Sequence, residues 1–263
     1  MRIIHLSDLH FGTEIPQLVK SLDLHIRETP ADLIIVSGDF TQVGSSEEFI
    51  LARDFINSFG LPAFCVPGNH DIPRYGVTER FLNPYQKYRR YVGQNLEPVF
   101  DNGAVCIAGI NTARRILPHW NWAHGAINQE QLDHLRSIYD QSKAPVRICV
   151  MHHPIHKVKD QNFKTIVYGG ARALEEIKTM KIDLVLTGHV HHASATSFEH
   201  EGHRTVFLSA STALSRRLRQ SANGYNVITI ADNKLTIDMF SYKDELFSPL
   251  ETITHDITAK YKT

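Results

Sequence analysis

Six short runs of apolar, largely β-branched residues set the terms on which this chain can fold: residues 2–6, 32–36, 63–66, 104–110, 146–151 and 183–186. Each is almost continuously apolar and bounded by turn residues, the pattern of a strand covered on both faces. Amphipathic stretches of helical period lie between them, at 17–29, 46–59, 83–91, 128–141 and 171–180. Ser45 or Ser46 is placed to cap the second helix, and Asn128 the fourth, where Gln131 stands at capping-box spacing. After Gly188 the rhythm changes. Residues 193–199, 204–209, 225–230 and 234–240 follow as strands without intervening helices, and Ala231-Asp232-Asn233 reads as a hairpin turn. Early βα units followed by hairpins predict an α/β chain: two packed sheets with helices outside, in a single domain over residues 1–263. The polar tail from about Ser248 is expected to pack loosely.

Charge and cysteine content narrow the function classes. The 28 Lys and Arg residues balance 28 Asp and Glu, so no net field draws the chain to nucleic acid or to an anionic membrane. Cys65, Cys106 and Cys149 each sit in an apolar run outside any C-x-x-C pattern, which fits buried free thiols in a reducing cytoplasm. The apolar start before Asp8 is too short for a secretory signal, and no run reaches the roughly 18–20 apolar residues of a membrane span. The expected location is therefore cytoplasmic.

Sixteen histidines are the compositional anomaly, and several lie directly after strands. The first run leads into Asp8-Leu9-His10, the second into Gly38-Asp39, and the third into Gly68-Asn69-His70-Asp71. The later runs lead into His152-His153-Pro154 and into Gly188-His189-Val190-His191. Ligand sites of α/β sheets form in the loops beyond the carboxyl ends of strands, so all five motifs should meet on one rim. Taken singly each has a plainer reading: Asp8 or Asp39 as a turn residue, Asn69 before a helix, His152 and His153 as a surface pair. Their joint occurrence in this position outweighs those readings. Carboxylate, amide and imidazole donors without thiolate suit manganese, iron or zinc in divalent or mixed-valence pairs. Asp39 can bridge two ions because a carboxylate offers two oxygens. Such a pair would generate a hydroxide near neutral pH for in-line attack on phosphorus.

These five blocks resemble those of the calcineurin-like metallophosphoesterase superfamily, over residues 8 to 191. The resemblance implies a four-layer αββα sandwich of two mixed sheets flanked by helices, with the site at the strand ends. It implies Asp8, His10 and His191 on one metal, Asn69, His152 and His189 on the other, and Asp39 bridging. His70 would contact the substrate and protonate the leaving oxygen, with Asp71 orienting its imidazole. His153, beside a ligand, is expected either to support that ligand from behind or to line the pocket.

Asp8-Leu9-His10-Phe11-Gly12, Pro67-Gly68-Asn69-His70-Asp71, the Gly125–Leu132 segment and Ser209-Ala210-Ser211-Thr212 are similar to the class III cyclic-nucleotide phosphodiesterase group. This implies a small phosphodiester substrate, a cyclic nucleotide first, with glycerophosphodiesterase or broad-specificity phosphatase activity as the alternative. A DNA nuclease is disfavoured by the neutral charge. A non-catalytic scaffold is disfavoured because every ligand position is filled. Substrate contacts are expected from Asn69, His70 and His153, from Trp120, Trp122 or Phe11 as an aromatic wall, and from Arg114 or Arg115 on phosphate. The late hairpins could also supply a homodimer edge.

Overall fold

A computed structural model describes residues 1–117, 121–156, 166–218 and 221–257. Its first sheet is built on β1 (Arg2–Leu6), β2 (Leu33–Val36) and β3 (Ala63–Cys65), which run parallel. An antiparallel meander of β12 (Gly224–Ala231), β13 (Lys234–Lys243) and β14 (Leu246–Asp256) extends it beside β1. The second sheet has a parallel centre of β5 (Val105–Ile110), β7 (Val146–Met151), β9 (Leu184–Thr187) and β11 (His203–Ser209). Its edges are the antiparallel strands β4 (Val99–Asp101) and β10 (Ser194–His200). A short parallel pair, β6 (Gly125–Ala126) with β8 (Val167–Tyr168), stands apart.

Side-chain alternation along the strands divides the core into three apolar layers. Ile3 and Ile35 point between the sheets, where they meet Ile107, Ile148, Leu184 and Ile237. Ile4, Leu6, Ile34 and Val36 point outward, under helices α1 (Pro16–Arg27), α2 (Ser46–Asn57) and α4 (Gln86–Tyr91). On the far side, Cys106, Ala108, Cys149 and Val185 lie beneath α5 (Gln129–Gln141) and α6 (Gly170–Thr179). Strands apolar on both faces thus give helix, sheet, sheet and helix layers, as the sequence pattern requires. Ser45 and Asn128 carry the anticipated capping boxes with Glu48 and Gln131.

Two local expectations are corrected. The helix expected over 83–91 begins only at Gln86, as α4, and a separate helix α3 (Val77–Leu82) that was not expected precedes it; Pro84 lacks an N–H and keeps Asn83 between them out of helical geometry. The tail from Ser248 is strand β14, paired with β13 up to Asp256. Its polarity reflects an exposed edge rather than loose packing, and a register shift between Met239 and Phe240 lies beside the pairing of Pro249. Among the described residues no helix is long and apolar enough to cross a membrane. All three cysteines are free thiols.

Candidate metal centre and substrate cleft

The carboxyl ends of β1, β2 and β3 in one sheet, and of β7 and β9 in the other, deliver the five motifs to one place. Backbone bonds lace these loops together: Asp8 N–H donates to Gly38 O at 3.0 Å, His10 N–H to Asp39 O at 3.0 Å and Gly188 N–H to His152 O at 3.0 Å. Asp8, His10, Asp39, His189 and His191 all have φ between 46° and 67°. That left-handed conformation costs non-glycine residues about 1–3 kcal/mol each. The other non-glycine residues with positive φ among those described are in hairpin turns or, for Lys181, just after α6. Strain therefore concentrates on the suspected ligands.

Two glycines permit the approach. A Cβ on Gly68 would stand 2.2 Å from Asp39 Oδ1, and one on Gly188 would stand 2.5 Å from Asp8 Oδ2. Each glycine therefore lets one motif press its backbone against a carboxylate of another.

The donors form two overlapping groups. Asp8 Oδ1 lies 3.2 Å from His191 Nε2 and 3.7 Å from His10 Nε2, and the two imidazole nitrogens are 3.3 Å apart. In the other group, His189 Nδ1 is 3.1 Å from Asn69 Oδ1. Asp39 Oδ2 spans both, 3.7 Å from His10 Nε2 and 3.2 Å from His152 Nε2. All except Asn69 are buried.

The chemistry of this donor set fits cations. The Nδ1–H groups of His10, His152 and His191 donate to the carbonyls of Thr41 (3.2 Å), Ser37 (2.7 Å) and Arg217 (2.5 Å). Once such a ring gives up any Nε2 proton, as metal ligation requires, its Nε2 lone pair is thereby turned into the cluster. Asp8 Oδ2 accepts from Ser7 Oγ at 2.7 Å and His189 N–H at 2.9 Å, while Oδ1 is buried without a hydrogen-bond partner, as is His152 Nε2. Buried, unpartnered acceptors facing one another are costly unless a cation fills the space between them.

Charge in the cluster follows the same logic. Burial alone would raise Asp8 and Asp39, yet the surrounding imidazoles hold both well below the usual carboxylate range. Burial takes His10 down to about 4, whereas at His152 the Asp39 carboxylate overrides burial and pushes it up to about 9. The carboxylates are thus ionised and ready to bind metal across the neutral range.

Asp71 does not orient His70. Its Oδ2 accepts from the N–H groups of Asp39 (3.0 Å) and Gly68 (2.8 Å), and its Oδ1 from Thr41 N–H (3.1 Å) and Oγ1 (3.2 Å). Both carboxylate oxygens are therefore spent on fixing the loops. The His70 ring is held instead by Gln42, whose carbonyl takes Nδ1–H at 2.7 Å. His70 Nε2 is left as an acceptor, 2.8 Å from Arg217 Nη1.

His153 is corrected as a substrate contact. It is fully buried, its Nδ1 is 2.7 Å from Thr112 Oγ1, and its Nε2–H donates to Ala123 O at 3.1 Å. With both nitrogens engaged it supports His189, 4.4 Å away between ring centroids, rather than meeting a ligand.

A cleft of about 300 Å³ opens on the exposed side of the centre, lined by Asn69, His70, Gln42, Trp122, Arg74, Arg80 and Arg217 among others. Trp122 is therefore in the expected wall, backed by the Arg80 guanidinium 4.1 Å from its ring centroid. Trp120 lies outside the described residues. Arg114 is turned away, donating to Asn111 O, Ala113 O and Gln131 Oε1, and Arg115 donates to Phe81 O. Their guanidinium groups are thus engaged by backbone carbonyls and by Gln131 rather than turned to the cleft. Phe11 is core, packed on Phe55.

Sequence reasoning did not find Arg217. Its only sequence signal is the basic run Ser215-Arg216-Arg217-Leu218-Arg219 after the strand that ends at Ser209.

Comparison with known proteins agrees with this geometry. The family model described as calcineurin-like phosphoesterase matches residues 1–193. The chain is 23% identical over 212 residues to a probable glycerophosphodiester phosphodiesterase of Arcobacter nitrofigilis, covering 74% of each. It is 24% identical over 246 residues to a probable cyclic nucleotide phosphodiesterase of Vesicomyosocius okutanii, covering 90% of this chain and 97% of the relative. In fold it is similar to a dimetal phosphatase from Danio rerio, with a TM-score of 0.70 at 10% identity, over 98% of this chain and 99% of the other.

Proposed function

This chain belongs to the calcineurin-like phosphoesterase family and is a metal-dependent phosphoric ester hydrolase, and from that premise we propose that it is a dimetal phosphodiesterase acting on a small diester, a cyclic nucleotide first. The observation that carries this reading is the pair of donor groups sharing Asp39, with imidazole Nε2 atoms turned inward by backbone carbonyls. Asp8, His10 and His191 would hold one ion and Asn69, His152 and His189 the other, with Asp39 shared between them. Manganese, iron or zinc bound there would supply Lewis acidity and a water of lowered pKa.

The chain's own residues do the rest. Asp71 keeps the Asp39, Thr41 and Gly68 backbones in one arrangement, so the bridge is preorganised. Asn69 and His70, both half-buried, face the cleft and meet the phosphoryl group there. His70 delivers a proton to the departing oxygen after Arg217 leaves its Nε2 and a proton is taken up at that atom. Trp122, half-exposed and backed by Arg80, offers a face on which a nucleobase can stack, which favours a nucleotide over a glycerol diester. The dimensions of the cleft suit a small ester rather than a long polyanion. Free thiols suit the cytoplasm, and the open edge of β14 suits pairing with a second copy.

The test is a hydrolysis screen of the manganese-loaded protein on cyclic nucleotides, glycerophosphodiesters and single-stranded DNA. Cyclic nucleotides should turn over fastest, and Asp39→Ala should lose paired metal and hydrolysis together. Activity that survives chelation would reject the dimetal reading, and preferential turnover of DNA would reject the small diester.

A further inference from the structure

Arg217 has no role in the metal centre beyond its backbone carbonyl, yet its side chain reaches the heart of the cleft. Nη1 lies 2.8 Å from His70 Nε2 and 3.4 Å from Gln42 Oε1. Its carbonyl accepts from the ligand His191 at 2.5 Å, so backbone and side chain of one residue address the metal centre and the cleft respectively.

The loop bearing it is anchored to the first motif. Ala213 N–H donates to Ser7 O at 3.1 Å, Thr212 Oγ1 to Asp8 O at 2.7 Å and Arg216 N–H to Thr13 O at 3.2 Å. Arg217 N–H itself is 3.2 Å from Ser215 Oγ. A half-buried guanidinium on a loop so tied is aimed with little freedom.

The partners of that guanidinium are weak ones. It faces two neutral acceptors, and no carboxylate is among the described residues lining the cleft. Arg74 and Arg80 add further positive charge along the same wall, in a chain whose total charge is zero. A cationic cleft without internal counter-charge is complementary to an anion. Exchange of a neutral imidazole for an anionic oxygen gives a guanidinium a stronger, charge-assisted bond.

We propose that Arg217 is a catalytic residue that leaves His70 Nε2 to hold a non-bridging phosphoryl oxygen of the substrate, the phosphate contact that Arg114 does not make. The inference rests on the phosphoesterase reading of the site. It adds a specificity consequence: esters must present an unesterified, anionic oxygen to Arg217, so neutral phosphotriesters are poor substrates even with an excellent leaving group.

The experiment uses the full chain loaded with manganese, as wild type, Arg217→Gln and Arg217→Lys. Metal content is measured first, because the His191 contact is to the backbone and both variants should retain two ions. Kinetics on bis(4-nitrophenyl) phosphate and on the methyl 4-nitrophenyl diester are then paired with inhibition by inorganic phosphate. Arg217→Gln should lower kcat/KM on both diesters by about 100- to 1000-fold, the loss typical of one oxyanion-stabilising group. It should also weaken phosphate inhibition at least about tenfold, and Arg217→Lys should recover part of each loss as a point charge. Hydrolysis of a matched 4-nitrophenyl triester should change less than threefold, which separates anion holding from general damage. The proposal is overturned by kcat/KM and phosphate inhibition within threefold of wild type, by loss of bound metal in both variants, or by equal losses on diester and triester. If wild type hydrolyses no diester, yet calorimetric titration shows that Arg217→Gln binds inorganic phosphate at least about tenfold more weakly, the functional reading falls while the assignment of Arg217 stands.

Discussion

Replacing Gly188 with alanine puts one methyl group where the first and last motifs touch. The added Cβ would stand 1.8 Å from Ser7 Oγ, 2.8 Å from Ser7 Cβ and 2.5 Å from Asp8 Oδ2. Restoring ordinary contact with Ser7 alone requires a displacement of about 1.5 Å in a close-packed region. That displacement breaks the bonds to Asp8 Oδ2 from Ser7 Oγ at 2.7 Å and from His189 N–H at 2.9 Å. Each is a bond to a buried carboxylate, worth about 1.5–3 kcal/mol. Half of that loss passing to the metal-loaded state weakens metal affinity by about 10- to 100-fold. A ligand misplaced by about 1 Å costs a further factor of about 100 in turnover. Calorimetric titration of manganese into the apoprotein measures the affinity, with far-UV circular dichroism as the control for folding. The Ser7→Ala/Gly188→Ala pair removes only the nearest clash, so recovery should be incomplete. Two manganese ions bound by folded Gly188→Ala with affinity within threefold of wild type would refute the close-approach argument.

Other perturbations probe independent parts of the molecule. His5 is buried between the sheets, with Nε2 2.9 Å from Ser37 Oγ and Nδ1 3.1 Å from Asn226 Nδ2, and burial takes its pKa down to about 3. A lowered folded-state pKa means that its contribution is complete above the unfolded value near 6.5 and is lost as pH falls from there towards 3. Denaturant melts of the apoprotein at pH 7 and pH 5 should show wild type losing up to about 1.4 kcal/mol per pH unit more than His5→Gln; parallel pH slopes would refute this. His70→Ala should retain its metals and slow alkyl leaving groups more than nitrophenolate; equal slowing across leaving groups would make His70 a phosphate-positioning residue instead. Trp122→Ala should raise KM for a cyclic nucleotide about tenfold with little change for a small aryl diester, and equal losses would remove base stacking. Tyr139→Phe deletes a buried bond to Ile148 O of 2.7 Å and should lower stability by about 1 kcal/mol in urea unfolding.

The layer order, the central strands and the caps at Ser45 and Asn128 were legible because they are local: periodicity of apolar residues and side-chain-to-backbone spacing are read within a dozen residues. The proposed ligand set was legible for a related reason, since each motif that carries it follows an apolar strand. Strand β14 was not, because an edge strand with one exposed side carries little apolar signal and gains its order from pairing with β13. Pro84 could have marked the break between α3 and α4, because its effect is also local.

The substrate side divides along the same line. Sequence alone determined that Asp8, His10, Asp39, Asn69, His152, His189 and His191 are offered at strand ends, since strand direction and side-chain type need no knowledge of neighbours. Which way each side chain turns was decided only by tertiary structure. Asp71 spends its oxygens on the N–H groups of Asp39, Gly68 and Thr41, and Arg114 is drawn to carbonyls of its own loop. Arg217 lies 147 positions from His70 along the chain, yet 2.8 Å from it in space. Hydrogen-bond competition among groups so far apart in sequence is resolved when the sheets stack and the loops close over them, and no local pattern encodes its outcome.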